Sequence, residues 1–276
     1  MQRIHRPPFR IAGQTHPGVR RRQRPNEDAI LLLAPEGEEQ NHWPPLIAVA
    51  DGMGGYGGGA LASQTVLQTL ADFYRQNAGQ MPWEQLLETA IQEAHQEVRR
   101  QGVQQQLPDM GCTLVAALLF PRHFIVANIG DSRAYVLREG RLVPVTQDHS
   151  VVAQLVREGE ITEYEALHHP HRNRLTQSIS ARRPSVHPDI QQEPWDPDDQ
   201  ILLCSDGLWG VVPESVLQEI LRDLPPEESV QRLVALANHF QGPDNISVIV
   251  ARREPLPDEE TAPQPPDDED EDDTRA

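Results

Sequence analysis

Leu46-Ile47-Ala48-Val49-Ala50-Asp51-Gly52-Met53-Gly54-Gly55-Tyr56-Gly57-Gly58-Gly59-Ala60 is the stretch on which the reading of this chain turns. Five apolar residues end on one carboxylate, Asp51, and six of the next eight residues are glycine. An uninterrupted apolar run of this length reads as a buried strand that delivers an acid to the edge of a sheet. Glycine then lets other backbone approach that acid closely. A small-residue helical pattern begins near Ala60. Taken alone, the stretch is equally a plain strand–turn–helix connection, so the flanking sequence has to decide.

Outward from it, the same theme recurs. Ala29–Leu33 is a strand candidate entered directly from Asn26-Glu27-Asp28. Cys112–Phe120 is almost continuously apolar, and His123–Ile129 is a further strand ending on Gly130-Asp131-Ser132-Arg133. Ala134–Leu137 and Leu142–Val145 flank Arg138-Glu139-Gly140-Arg141, a hairpin turn with a glycine free to take positive φ. Ile201–Cys204 again ends on an acid, in Ser205-Asp206-Gly207, and Gly242-Pro243-Asp244-Asn245 leads into Ile246–Ala251. Consecutive strands at this spacing indicate antiparallel pairing. Helical periodicity appears over about 59–77, 83–101, 148–166, from Pro213 as first helical residue, and over 227–240. The fold expected is α+β: two antiparallel sheets face to face, with helices covering both outer faces, a four-layer αββα sandwich.

The chain has 276 residues and a net charge of −18. Residues 254–276 hold eleven acids and one arginine, which leaves −8 on the preceding 253 residues, an ordinary balance. That end is rich in proline and without aromatics, so an acidic disordered tail is expected there. Residues 1–10 read as a basic lead-in, and 11–253 as one folded domain. Arg3, Arg6, Arg10, Arg20, Arg21, Arg22 and Arg24 all precede Glu27, but the acidic balance of the whole chain argues against nucleic acid as a partner. Only Cys112 and Cys204 are present, both in apolar runs, which suits reduced buried thiols and excludes a disulfide framework. No apolar run is long enough to span a membrane and no signal-peptide pattern is seen, so a cytoplasmic protein, a monomer with no membrane partner, is expected.

Acids therefore stand at strand ends or in adjacent turns at Glu27, Asp28, Asp51, Asp131, Asp206 and Asp244. Each one singly could be a turn cap. Together they form an all-oxygen set that suits Mg²⁺ or Mn²⁺ and poorly suits Zn²⁺. Buried carboxylates left unpaired would repel one another, so such a group faces water or holds cations. Two divalent ions about 3.5–4 Å apart can activate a water for in-line attack on phosphorus, which makes phosphoryl chemistry the natural hypothesis.

The ordered motifs carry a resemblance. They are Asn26-Glu27-Asp28-Ala29, Val49-Ala50-Asp51-Gly52-Met53-Gly54-Gly55, Gly111-Cys112-Thr113 and Asn128-Ile129-Gly130-Asp131-Ser132-Arg133-Ala134-Tyr135. Thr146-Gln147-Asp148-His149-Ser150, Leu203-Cys204-Ser205-Asp206-Gly207-Leu208-Trp209 and Gly242-Pro243-Asp244-Asn245-Ile246-Ser247 follow. Over about residues 10–252 the chain resembles the metal-dependent protein serine/threonine phosphatases of the protein phosphatase 2C type, bacterial branch. The resemblance implies hydrolysis of phosphoserine and phosphothreonine in proteins by metal-activated water, with no phospho-enzyme. It implies that Asp51 bridges two metals, that the Gly52 carbonyl helps bind one, and that Asp206 and Asp244 complete the first metal's shell. Glu27 would face the second metal through water and Asp28 would orient the nucleophilic water. Asp131, with Asp206, would form a third, weaker site.

The departures are equally specific. The family's phosphate-gripping arginine falls in register on Gln23, between Arg22 and Arg24; either could supply the guanidinium fork, and an insertion before Asn26 selects Arg22. Met53 stands where many eukaryotic members carry a histidine proposed as general acid. Gln177 replaces an arginine in Leu175-Thr176-Gln177-Ser178-Ile179. Residues 147–173 would be a flap over the cleft and the determinant of substrate choice, with His168, His169 and His171 in an exposed polar loop. Trp209 and Cys204 are expected in the core. Rival readings are a catalytically impaired relative that binds phosphoproteins or regulates a signalling partner, and another metal phosphoesterase.

Overall fold

The computed structural model describes residues 1–34, 43–55 and 57–256. The hairpin β1 (Gln2–Arg6) and β2 (Phe9–His16) is followed by β3 (Ala29–Leu33), β4 (Leu46–Ala50) and the two-residue β5 (Gly52–Met53). Helices α1 (Gly58–Asn77) and α2 (Trp83–Gln104) come next. Five strands then run without an intervening helix: β6 (Gly111–Cys112), β7 (Leu114–Leu119), β8 (His123–Ile129), β9 (Arg133–Arg138) and β10 (Arg141–Pro144). Short helices α3 (Val151–Arg157) and α4 (Glu163–His168) lead to β11 (Ile179–Ser180), β12 (Asp189–Pro194) and β13 (Gln200–Cys204). The chain closes through α5 (Asp206–Trp209), α6 (Glu214–Asp223), α7 (Pro226–His239) and β14 (Ile246–Arg253).

One sheet has the order β1-β2-β14-β13-β9-β10 and the other β12-β8-β7-β4-β3, with antiparallel neighbours throughout. A small third sheet, β11-β6-β5, lies beside them. The period-two alternation of each apolar strand splits its side chains between two cores. On β4, Leu46, Ala48 and Ala50 face the core under α1 and α2, while Ile47 and Val49 enter the core between the sheets. On β13, Ile201 and Leu203 face the same inter-sheet core, and Leu202 and Cys204 face α6 and α7. The helices present matching stripes: Leu86, Leu87, Ala90, Ile91, Ala94 and Val98 on α2, and Val230, Leu233, Val234 and Ala237 on α7. Burying each large aliphatic contributes about 1.5–3 kcal/mol. The four expected layers are all present.

Four local expectations change. Residues 2–10 are no mere lead-in, because β1 pairs with β2 over Gln2–Arg6 and Phe9–Gly13. The run expected as one strand over 112–120 breaks at Thr113, which separates β6 from β7. The helix expected over 148–166 is two helices, broken where Gly159 takes φ 73° and restarted by a capping box, Thr162 with Glu165. Pro213 is the N-cap of α6 and not its first helical residue. The tail from 257 onward lies outside the described residues.

Candidate metal centre

The strand register brings the acids to one end of the sandwich. Ala29 pairs with Ala50, which sets Asp28, just before β3, beside Asp51, just after β4. On the facing sheet β13 ends at Cys204, so Asp206 follows it as the first residue of α5, and Asp244 precedes β14. Asp131 occupies the β8–β9 turn, where Trp209 Nε1–H donates to its carbonyl at 2.9 Å.

Hydrogen bonds stitch the two sheets together at this end. Ser205 Oγ–H donates to Asp28 Oδ2 at 2.8 Å and accepts from the Ser247 amide at 3.0 Å. The Glu27 amide donates to Asn245 Oδ1 at 2.9 Å, and Asn245 Nδ2 donates to the Pro17 carbonyl at 3.0 Å. The Thr113 amide donates to the Asp51 carbonyl at 2.9 Å. Gly52 allows a close approach: a Cβ there would overlap the backbone carbonyls of Gly59 and Glu27. Gly57, at φ 82°, turns the chain into α1, and a Cβ on Gly59 would stand 2.6 Å from Glu27 Oε1. Gly52 and Gly59 thus serve close packing against Glu27, and Gly54 against the Asp109 carbonyl.

Burial and mutual repulsion raise the proton affinity of the cluster. Asp28 is pushed to about 7, by burial first and also by the Asp206 charge. Asp131 is likewise pushed to about 7 by burial, then by Asp206 and Asp148. Asp206 is pushed to about 6 by burial and the Asp244 charge. Asp51 stands well above the usual carboxylate range, from burial and then from Asp28, Asp206, Asp131 and Asp244. Among the described residues no set of three such side chains is preformed as a metal cage, although Asp51 lies within hydrogen-bonding reach of Asp28 and Asp206. Asp28 Oδ1 and Asp206 Oδ1 are buried and have no partner among the described residues. Two orphaned carboxylate oxygens in an all-oxygen, mutually repelling set fit hard divalent cations.

The cation that the structure does bring to the acids is Arg21. Its Nη2 donates to Glu27 Oε2 at 2.7 Å, and its Nη1 donates to Asp244 Oδ1. Burial works against the Arg21 charge, but Asp244 and Glu27 outweigh it and hold its pKa above the ordinary value. Arg22, the expected phosphate grip, is exposed, as is Arg24, while Arg21 faces inward. The reason is a compact turn in which the Arg20 amide donates to Gly242 and the Arg24 amide to Arg21. Gly18 enters it at φ 75°, where a Cβ would overlap the Asp244 carbonyl. Ser205, as the link between the sheets, is the other residue sequence reasoning missed; its only signal was its place before Asp206. Trp209 is half-buried at the rim, stacked 3.6 Å from the Arg133 guanidinium, whereas Cys204 is in the core as expected. His168 and His171 are exposed on the flap.

A family model described as protein phosphatase 2C matches residues 13–242. The serine/threonine phosphatase stp of Listeria monocytogenes is 37% identical over 216 residues, covering 76% of this chain and 85% of that one. The solved serine/threonine phosphatase of S. agalactiae superposes with a TM-score of 0.81 at 30% identity, covering 89% of this chain and 100% of that chain. The catalytic domain of the phosphatase PstP, solved in complex with 2 manganese ions, gives a TM-score of 0.77 at 32% identity, covering 90% and 99%.

Proposed function

This chain belongs to the protein phosphatase 2C family and is a protein serine/threonine phosphatase, and on that premise we propose that the acids at the shared sheet edge are its catalytic centre. The observation that carries the assignment is the convergence of Asp28, Asp51 and Asp206, with raised proton affinities and a buried, unpartnered Oδ1 on both Asp28 and Asp206 among the described residues. Asp51, Asp206, Asp244, Glu27 and the Gly52 carbonyl would hold two ions, and Asp131 with Asp206 a third, weaker one; Mg²⁺ or Mn²⁺ suits these hard donors. Such ions supply Lewis-acid polarisation of the phosphoryl group and a nucleophile acidic enough to work near neutral pH.

The chain's own residues do the rest. Asp28 Oδ2 is held by Ser205, so Oδ1 is the atom at which this side chain takes up or releases a proton. Arg21 offers the planar fork that matches a phosphoryl dianion, which would compete with Glu27 and Asp244 for its N–H groups. The two short flap helices flank the cleft and supply contacts for the polypeptide around the phosphoresidue. Phosphorylated proteins, products of serine/threonine kinases, are the substrates, and the enzyme works as a cytoplasmic monomer. Calorimetric titration with Mn²⁺ tests the ligand assignment: the native chain should bind, and Asp51→Asn should abolish the heat. Unchanged binding in Asp51→Asn would refute it.

A further inference from the structure

The flap carries almost no core of its own. No residue of α3 is buried, Tyr164 on α4 is 72% exposed, and α3 and α4 pack chiefly against each other. Its orientation therefore depends on how its neck is fastened. Both arms pass through one point: Ser150 bridges Leu175, the Val151 amide donates to Arg174, and the Thr176 amide donates to the His149 carbonyl at 2.8 Å.

His149 is buried at that point, beside buried Ser150, and every polar group it has is engaged. Its amide donates to the Gly130 carbonyl at 2.8 Å. Its Nδ1 accepts from the Gly130 amide at 3.2 Å, which leaves the ring proton on Nε2, and Nε2–H donates to Asp189 Oδ2 at 3.0 Å. The His149 backbone thus joins both flap arms and reaches the β8–β9 turn, and its ring adds a second bond to that turn and the tie to edge strand β12. The neighbouring Asp148 is fastened to the same turn by a bidentate bond from Arg133, at 2.9 and 2.8 Å.

We infer that His149 is a positioning residue: it clasps the flap neck to the Gly130 turn and Asp189, and so sets the enzyme's preference for phosphorylated polypeptide over small phosphate esters. A polypeptide must be seated by the flap, whereas a small ester needs only the carboxylate centre and Arg21. Loosening the clasp should separate the two activities, as loss of a seating loop does.

Trypsin provides a readout independent of activity, because Arg157 and Arg172 are exposed in the flap and Arg174 at its neck, while Arg99 and Arg100 lie exposed on α2. In the Mn²⁺-loaded full chain, His149→Ala should speed cleavage at the three flap and neck arginines by about tenfold or more without changing cleavage on α2. Its kcat/KM on a phosphothreonine protein should fall at least about tenfold, mainly through KM, while p-nitrophenyl phosphate turnover stays within about threefold. His149→Asn keeps an acceptor for the Gly130 amide and should restore most of the protection and most of the protein-substrate rate. Asp189→Ala, on an exposed edge strand, should move both readouts in the same direction by a smaller factor, and it decides the matter should His149→Ala fail to fold. Equal losses on both substrates, or flap cleavage unchanged in Asp189→Ala and in any folded His149→Ala, would overturn the inference.

Discussion

Asp28 shows how one residue's surroundings assign its work. Its Oδ2 accepts from Ser205 and its Oδ1 has no partner among the described residues, so the side chain has one fixed and one working oxygen. The Ser205 bond favours the ionised form and works against the desolvation that raises the carboxyl. Ser205→Ala removes that support, so the proton affinity of Asp28 rises further. The acid limb of the pH–rate profile should move up by about half a unit to one unit, with turnover at pH 8.5 within about threefold of the native chain. An unmoved limb would remove Asp28 from the proton path. Arg21→Ala should cost about 2–3 kcal/mol of transition-state binding, roughly 30- to 150-fold in kcat/KM, while Arg22→Ala stays within about threefold. Steady-state rates on one phosphopeptide compare them directly, and the reverse ranking would restore Arg22. That the inward arginine is Arg21 was illegible in the sequence. Consecutive identical side chains in a turn carry no periodicity, and their direction is set by contacts to the Gly18 and Gly242 backbone, more than 200 residues apart in sequence.

At the scale of elements, legibility followed burial. β4, β7, β8, β13 and β14 are apolar on both faces because sheets and helices cover both, and their ends place Asp51, Asp131, Asp206 and Asp244 without further information. β12, Asp189–Pro194, is an exposed edge strand in which no residue is fully buried, so it leaves no alternation to read. Helix α3 shares that difficulty: its apolar residues are only half-covered, and Gly159 breaks what looked like one period. The junction of α5 with the turn before β14 was legible as composition but not as contact. A Cβ on Gly207 would overlap the Asn245 carbonyl, so this glycine is what lets Asp206 and Asp244 approach. Gly207→Ala should cost about 1–3 kcal/mol through forced separation, with the melting temperature lowered by several degrees. Differential scanning calorimetry with and without Mn²⁺ should show a smaller metal-induced gain in the variant; an unchanged melting temperature would mean the junction has slack.

For the whole molecule, four layers hold a cluster of acids that is uncomfortable when ionised. Asp28 and Asp131, at about 7, and Asp206, at about 6, keep protons in the folded chain that unfolded carboxyls, near 4, have already released. The folded state therefore binds more protons between about pH 4 and 7, and the stability of the metal-free chain should fall as pH rises through that window. Divalent ions bind the ionised carboxylates, so Mn²⁺ should raise the melting temperature more at pH 8 than at pH 5. A metal-free chain that gains stability from pH 5 to 7.5 would contradict the cluster's electrostatics. The central claim, that these acids perform phosphoester hydrolysis, is tested most directly by phosphate release from a phosphothreonine peptide in Mn²⁺. The native chain should turn over, and Asp51→Ala and Asp206→Ala should each lose at least about a hundredfold in kcat/KM. Equal rates in all three proteins would contradict the account.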